Sequence, residues 1–191
     1  MGKQLLVVVF FFMSMIAFTG AESKPWKTRP VDDWRDSLVP GKEKVSHLHF
    51  YFHDTPKGRS QSSVQVAQAP VTNQSATFFG AVMMADDPLT EGPEPTSKLL
   101  GRAQGMYGSA GQKELTLLMV MAYSFTSGKY KGSSFSIMGN NPVMHPVREM
   151  PIVGGTGIFR FARGVAMAKT YIFNTTTGVA IVEYDAKILH F

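Results

Sequence analysis

From Val45 to its C-terminus the sequence is a series of short apolar runs cut apart by glycine, proline, asparagine and serine. The runs fall at 45–53, 62–69, 76–85, 98–107, 115–126, 130–138, 158–171 and 178–190. Between them stand Thr55-Pro56-Lys57-Gly58, Asp87-Pro88, Glu91-Gly92-Pro93, Ser127-Gly128, Gly139-Asn140-Asn141-Pro142 and Thr177-Gly178. Such clusters supply a fixed or a positive φ where a chain reverses. Only the segment near 115–123 passes for a helix, and it is short. About eight strands at regular spacing predict an all-β sandwich or a closed antiparallel barrel.

The 191 residues suffice for one domain with its own core. Residues 1–21 read as a cleaved secretory signal: Lys3, an apolar run from Leu5 to about Phe18, then small residues around Thr19-Gly20-Ala21. The stretch 22–44 carries Pro25, Pro30 and Pro40 and both tryptophans among charges, and reads as an arm or linker before a domain at 45–191. The chain has no cysteine, which excludes disulfides, thiolate metal sites and cysteine nucleophiles. Asn73-Gln74-Ser75 and Asn174-Thr175-Thr176 are N-glycosylation sequons and fit surface turns of a secreted chain. The formal charge of +5 is scattered along the chain, which argues against a nucleic-acid stripe and is compatible with retention on an acidic matrix.

Alternation assigns faces. In HLHFYFHD, Leu48, Phe50 and Phe52 share one face with Asp54, while His47, His49, Tyr51 and His53 share the other. His53 falls about 13 Å from His49 at roughly 3.3 Å per residue, too far for one ion, so the histidines read as an outward surface and no metal is expected. In GGTGIFRFARG, Phe159, Phe161 and Arg163 alternate onto one face, another apolar row ending in a charge. An Asp and an Arg so placed sit at a wet rim, pair with each other, or project into a pocket. In the last case desolvation raises the Asp54 pKa and suits it to acid–base work, with Arg163 as a fixed donor to a developing oxyanion. Asp86-Asp87-Pro88 is a turn cap before proline or, if the strand continues, one inward and one outward carboxylate. Gly154-Gly155-Thr156-Gly157 lacks the helix and lysine of a phosphate loop and reads as a turn.

Together HFYFHD, FGAVMMADDPLT, GRAQGMYGSA, GKYKGSSFSIMG, REMPIVGGTGIFRFARG and AIVEYD resemble the plant dirigent family, in this order and over nearly all of 45–190. The resemblance implies an eight-stranded antiparallel β-barrel, a homotrimer, and a phenol-binding pocket in a protein secreted to the apoplast or cell wall. It implies no cofactor: an external laccase or peroxidase makes phenoxy radicals from monolignols, and the barrel directs their stereoselective coupling in lignan biosynthesis. By position Asp54, Asp86 and Arg163 look like the family's catalytic groups, handling protons of a quinone methide. Phe50, Phe52, Ile158, Phe159 and Phe161 are expected to line the pocket. Pinoresinol-forming members typically have an aspartate after GGTG, where this chain has Ile158, and a cysteine pair that it lacks. GGTG-x-FRFARG with a late EYD looks more like the branch of pterocarpan synthases, which dehydrate isoflavanols without an oxidase. A phenol-binding wall barrel without chemistry is the third alternative.

Overall fold

The computed structural model describes residues 41–191, so the expected signal and nearly all of the arm lie outside the described residues. Nine strands form one antiparallel sheet: β1 (Lys44–Asp54), β2 (Ser63–Ala67), β3 (Val82–Thr90), β4 (Leu99–Ser109), β5 (Thr116–Phe125), β6 (Ser134–Pro142), β7 (Arg148–Thr156), β8 (Arg163–Phe173) and β9 (Ala180–His190). Their order is β1-β9-β8-β7-β6-β5-β4-β3, and a β1–β3 pairing joins the ends. Eight strands therefore close into the expected barrel, with β2 attached to β3 outside the ring. Membership differs from the run-by-run reading, which counts 62–69 and passes over β7. Pro151, Gly154 and Gly155 interrupt the apolar pattern of β7, yet Pro151 is exposed and Gly154 and Gly155 sit in the ladder opposite Ser136 and Phe135.

The closure is unequal. β1 pairs with β9 along its whole length, from Lys44↔His190 to Asp54↔Ala180. It meets β3 only at Tyr51↔Thr90 and Phe52↔Leu89, and β2 takes the rest of the β3 edge, from Ser63↔Ala85 to Ala67↔Val82. Gly164 permits a tight β8–β9 approach: it has φ +157°, and a Cβ there would stand 2.0 Å from the Lys187 carbonyl oxygen.

Inward alternation of β1 buries Leu48, Phe50 and Phe52, as expected. The core around them is aromatic. Phe50 stacks on Tyr184 with centroids 5.3 Å apart and planes 5° apart, and Tyr123 stacks on Phe135 at 5.0 Å and 3°. This packing fills the barrel below the C-terminal end of β1, called the upper end here, and leaves space above it.

Outside, the wall has two characters. Across β3 to β6 the register aligns Met84, Met106, Val120 and Met138 in one transverse row, with Val64 of β2 opposite Met84. All five are exposed. On β1 and β9 the outward residues are polar: His47 stands opposite Lys187 and His49 opposite Asp185. The outward-facing expectation holds for His47 and His49 but not for His53, which is only 7% exposed. His53 is covered where β3 ends, with Nε2 2.6 Å from Thr90 Oγ1, whose own proton goes to the Gly92 carbonyl at 2.7 Å. His53 is therefore the donor, and burial lowers its pKa.

Phe50→Ala removes a ring touching four other buried rings. We expect it to cost about 3–5 kcal/mol as a lower urea midpoint, against about 0.5 kcal/mol or less for the exposed His47→Ala. Equal midpoints for the two variants would contradict this account of the core.

Candidate functional site

Extending the Phe52↔Leu89 register by two residues sets Asp54 of β1 against Asp87 of β3. The ladder stops before that pair, where like charges directly opposite would oppose it, and successive serines of β2 and its approach enter the gap. Ser63 Oγ donates to Asp54 Oδ1, and Tyr107 OH donates to Asp54 Oδ2 at 2.6 Å. Ser62 Oγ lies 2.5 Å from Asp87 Oδ1 and 3.3 Å from the His53 carbonyl, while accepting the Thr55 N–H at 3.0 Å. One hydroxyl proton cannot serve both oxygens, and a protonated Asp87 resolves the conflict by donating its own.

The electrostatics agree. Burial raises the Asp54 pKa, against the Ser63 and Tyr107 hydrogen bonds that favour its charged form. Asp87 is pushed up to about 8, first by burial and then by the Asp54 charge. It is fully buried, and its Oδ2 has no hydrogen-bond partner among the described residues. Asp87 is thus held as a neutral acid behind Asp54, and the raised pKa of Asp54 lets it carry a proton on the cavity side. The same charges, after burial, raise the Tyr107 pKa and keep that phenol a donor.

Asp54 lines a cavity of about 500 Å³ in the upper end of the barrel, within the range for a small organic ligand. Leu115, Leu117, Val143, Met144, Phe173 and Val182 give it apolar walls. Three strands around the wall, roughly 14 Å at about 4.8 Å per spacing, Arg148 opens β7 and also faces the cavity. The residue is 3% exposed. It donates to Asn141 Oδ1 at 3.1 Å, Thr170 Oγ1 at 3.0 Å and the His145 carbonyl at 3.4 Å, all neutral acceptors. No carboxylate pairs with it among the described residues. Burial lowers its pKa, but an arginine stays charged in a protein. A buried, uncompensated cation at one end of an apolar cavity and an acid pair at the other suit a ligand with an oxyanion-forming group and a proton-demanding one.

Of the residues singled out in the sequence, Asp54 is at the cavity. β3 continues through Asp86-Asp87-Pro88, so the carboxylates fall on opposite faces: Asp86 is outside, with Arg102 Nε 2.5 Å from its Oδ1, and Asp87 is inside. Phe50, Phe52 and Phe159 are core beneath the cavity, not its lining. The expected common face of Phe159, Phe161 and Arg163 does not form, because Gly157–Phe159 is a 3₁₀ turn and Phe161 has φ +59°. Strand alternation does not apply there. Phe159 is buried, while Phe161 and Ile158 are exposed in the lower β7–β8 connection. Arg163 pairs with Leu189 at the far end from Asp54, with Nη2 2.5 Å from Glu43 Oε1. Of the GGTG stretch, Gly154, Gly155 and Thr156 end β7 and only Gly157 belongs to a turn. Asn73 and Asn174 are exposed, Asn73 in a 3₁₀ turn and Asn174 in the β8–β9 connection beside the cavity rim. Arg148 and Asp87 escape the sequence reading. Asp87 was one of its two open alternatives, and an arginine starting a run that contains proline gives no periodic signal.

The profile of the family described as Dirigent-like protein matches residues 45–189. The chain belongs to the dirigent family. Dirigent protein 21 of Arabidopsis thaliana is 51% identical over 188 residues, covering 97% of each chain. Pterocarpan synthase 1 of Glycyrrhiza echinata is 53% identical over 150 residues, 78% of this chain and 80% of that one. A solved pterocarpan synthase dirigent protein superposes with TM-score 0.75 at 52% identity, covering 79% of this chain and 87% of that structure. This dirigent barrel thus has the fold of an experimentally determined relative.

A raised folded-state pKa means that Asp87 binds its proton more tightly folded than unfolded. Its stabilising contribution is complete below about pH 4 and drains away as the pH rises to about 8, at no more than about 1.4 kcal/mol per pH unit. Urea midpoints of the wild type should therefore fall between pH 5 and pH 8, and Asp87→Asn should flatten that fall. An unchanged slope in the variant would remove Asp87 as its source.

Proposed function

We propose that the cavity binds a phenol and moves protons on and off its quinone methide, in a dehydration and ring closure of the pterocarpan synthase type. What carries this reading is the uncompensated Arg148 guanidinium facing the cavity that also holds Asp54. Arg148 stabilises the oxygen that gains charge as a phenol loses its proton. Asp54, protonated because burial raises its pKa, delivers that proton to the departing benzylic hydroxyl, which leaves as water. A neighbouring phenolic hydroxyl of the substrate then adds to the same carbon and gives its proton back to Asp54, one C–O bond replaces another, and the first phenolic oxygen, now outside the new ring, regains its proton. The balance is loss of one water with no change of oxidation state, so no external oxidant is required. Asp87, held neutral, keeps the deep end from becoming a double anion.

A second reading uses the same pocket: stereodirected coupling of phenoxy radicals supplied by an external laccase or peroxidase. Its support is the family's general role and the likeness to Dirigent protein 21 across 97% of the chain. One pair of assays separates the readings. An isoflavanol without oxidant should ring-close, and coniferyl alcohol with laccase should give racemic product with or without the protein. An enantiomeric excess with laccase, and no ring closure, would reverse the choice. Asp54→Asn should lower turnover by 10²-fold or more; undiminished turnover would remove its acid role.

Secretion to the apoplast is inferred from the leader-like 1–21 stretch, and glycosylation from the exposed Asn73 and Asn174 sequons. Homotrimer assembly is also inferred, through the row of Met84, Met106, Val120 and Met138, whose contiguous exposed apolar side chains mark an association face. Val120→Glu puts a charge in the middle of that row and should give a monomer in analytical ultracentrifugation. Trimers persisting at micromolar concentration would place the interface elsewhere.

A further inference from the structure

At the mouth of the cavity His145 Nε2 lies 2.6 Å from Glu114 Oε1. The contact joins two connections, that between β4 and β5 and that between β6 and β7. A carboxylate only accepts, so the ring proton sits on Nε2 and the lone pair of the neutral imidazole on Nδ1. Among the described residues no hydrogen-bond partner is found for Nδ1. His145 lines the cavity, and its backbone carbonyl accepts from Arg148 Nη1 at 3.4 Å. His145 and Arg148, joined through that carbonyl, thus line the same cavity, around the wall from Asp54.

We propose that His145, oriented by Glu114, is the base that removes the phenolic proton from the substrate, so that the cavity holds two separate proton-handling groups. Resting on the proposed quinone-methide chemistry, the assignment supplies what that chemistry lacks at the Arg148 end. An arginine stabilises a phenolate but cannot take the proton that creates it. The phenolic O–H bond breaks, its proton passes to His145 Nδ1, and the electron pair left on oxygen expels the hydroxyl protonated from Asp54. Once the ring has closed, His145 returns the proton to that oxygen. The carboxylate at Nε2 fixes the tautomer and favours the imidazolium that forms, the division of labour of a base and its orienting acid. Half-exposure of both side chains fits this work, because a base at the mouth exchanges its proton readily with solvent.

The test measures isoflavanol turnover and, independently, proton transfer to His145 from bound 4-nitrophenol, followed by the phenolate absorbance and the imidazole NMR signals. His145→Ala should lose about 10²-fold in kcat with KM little changed, and added imidazole should restore part of it. Glu114→Gln should lose less and gain nothing from imidazole. His145→Gln, which keeps a donor toward Glu114 but no base, should behave as His145→Ala does. Imidazole rescue is the readout that a merely structural histidine would not produce. If the wild type fails to turn over the isoflavanol but ionises bound 4-nitrophenol, and His145→Ala does not, the base stands and the ring-closing reading falls. If turnover survives in His145→Ala, or imidazole restores nothing, or the probe ionises equally in both proteins, the assignment is overturned.

Discussion

The two residue pairs that join β1 to β3, Tyr51 with Thr90 and Phe52 with Leu89, hold the barrel shut. Everything that distinguishes the upper end follows from how abruptly that ladder ends. One more same-face step along each strand brings two carboxyl groups opposite each other, an arrangement that antiparallel pairing does not tolerate when both are charged. The seam parts, β2 takes over the β3 edge, and Ser62 and Ser63 enter the opening, one for each acid. Site and seam are one feature: an acid facing the cavity, a second acid behind it, and a short strand outside the ring that, with the residue before it, brings one serine to each.

That arrangement is not favourable for the fold. An aspartate buried beneath another carries a desolvation cost that an apolar side chain would avoid. In a barrel that otherwise fills its interior with stacked rings, so costly a pair marks the upper end as the place for chemistry rather than for stability. Arg148 makes the same point from the opposite wall, since a guanidinium with only amide, hydroxyl and carbonyl partners lacks its anion. The lower end contrasts with this: its arginine, Arg163, is half in water and has a carboxylate beside it.

Much of this was legible in the sequence, and the failures have physical causes. Alternation in HLHFYFHD places Leu48, Phe50, Phe52 and Asp54 on the inner face because β1 is regular and pairs along its length with β9. The same logic fails in GGTGIFRFARG, where a 3₁₀ turn and a left-handed Phe161 break the period of two before Arg163 is reached. β7 is hidden by Pro151 and two glycines, and with it the arginine that reaches the cavity. Asp86 and Asp87 could be told apart only by knowing that β3 continues through Pro88. His53 lies on the outward face as the pattern requires, but the end of β3 covers it, and alternation reports faces rather than neighbours. The dirigent resemblance repaired none of these local errors, because each is a matter of register.

The pairing of Lys44 with His190 and of Asp54 with Ala180 has a consequence for the order of assembly. First and last strands of the ring are neighbours, so the longest ladder of β1 joins the most sequence-distant residues of the domain. Hairpins from β3 to β9 can zip as they leave the ribosome, but the β1–β9 ladder must wait until β9 has been made. Until then the ring is open along β1 and the cavity has no wall on the β9 side. A chain still being synthesised therefore has no enclosed cavity, and it acquires one in the same step that completes its ring.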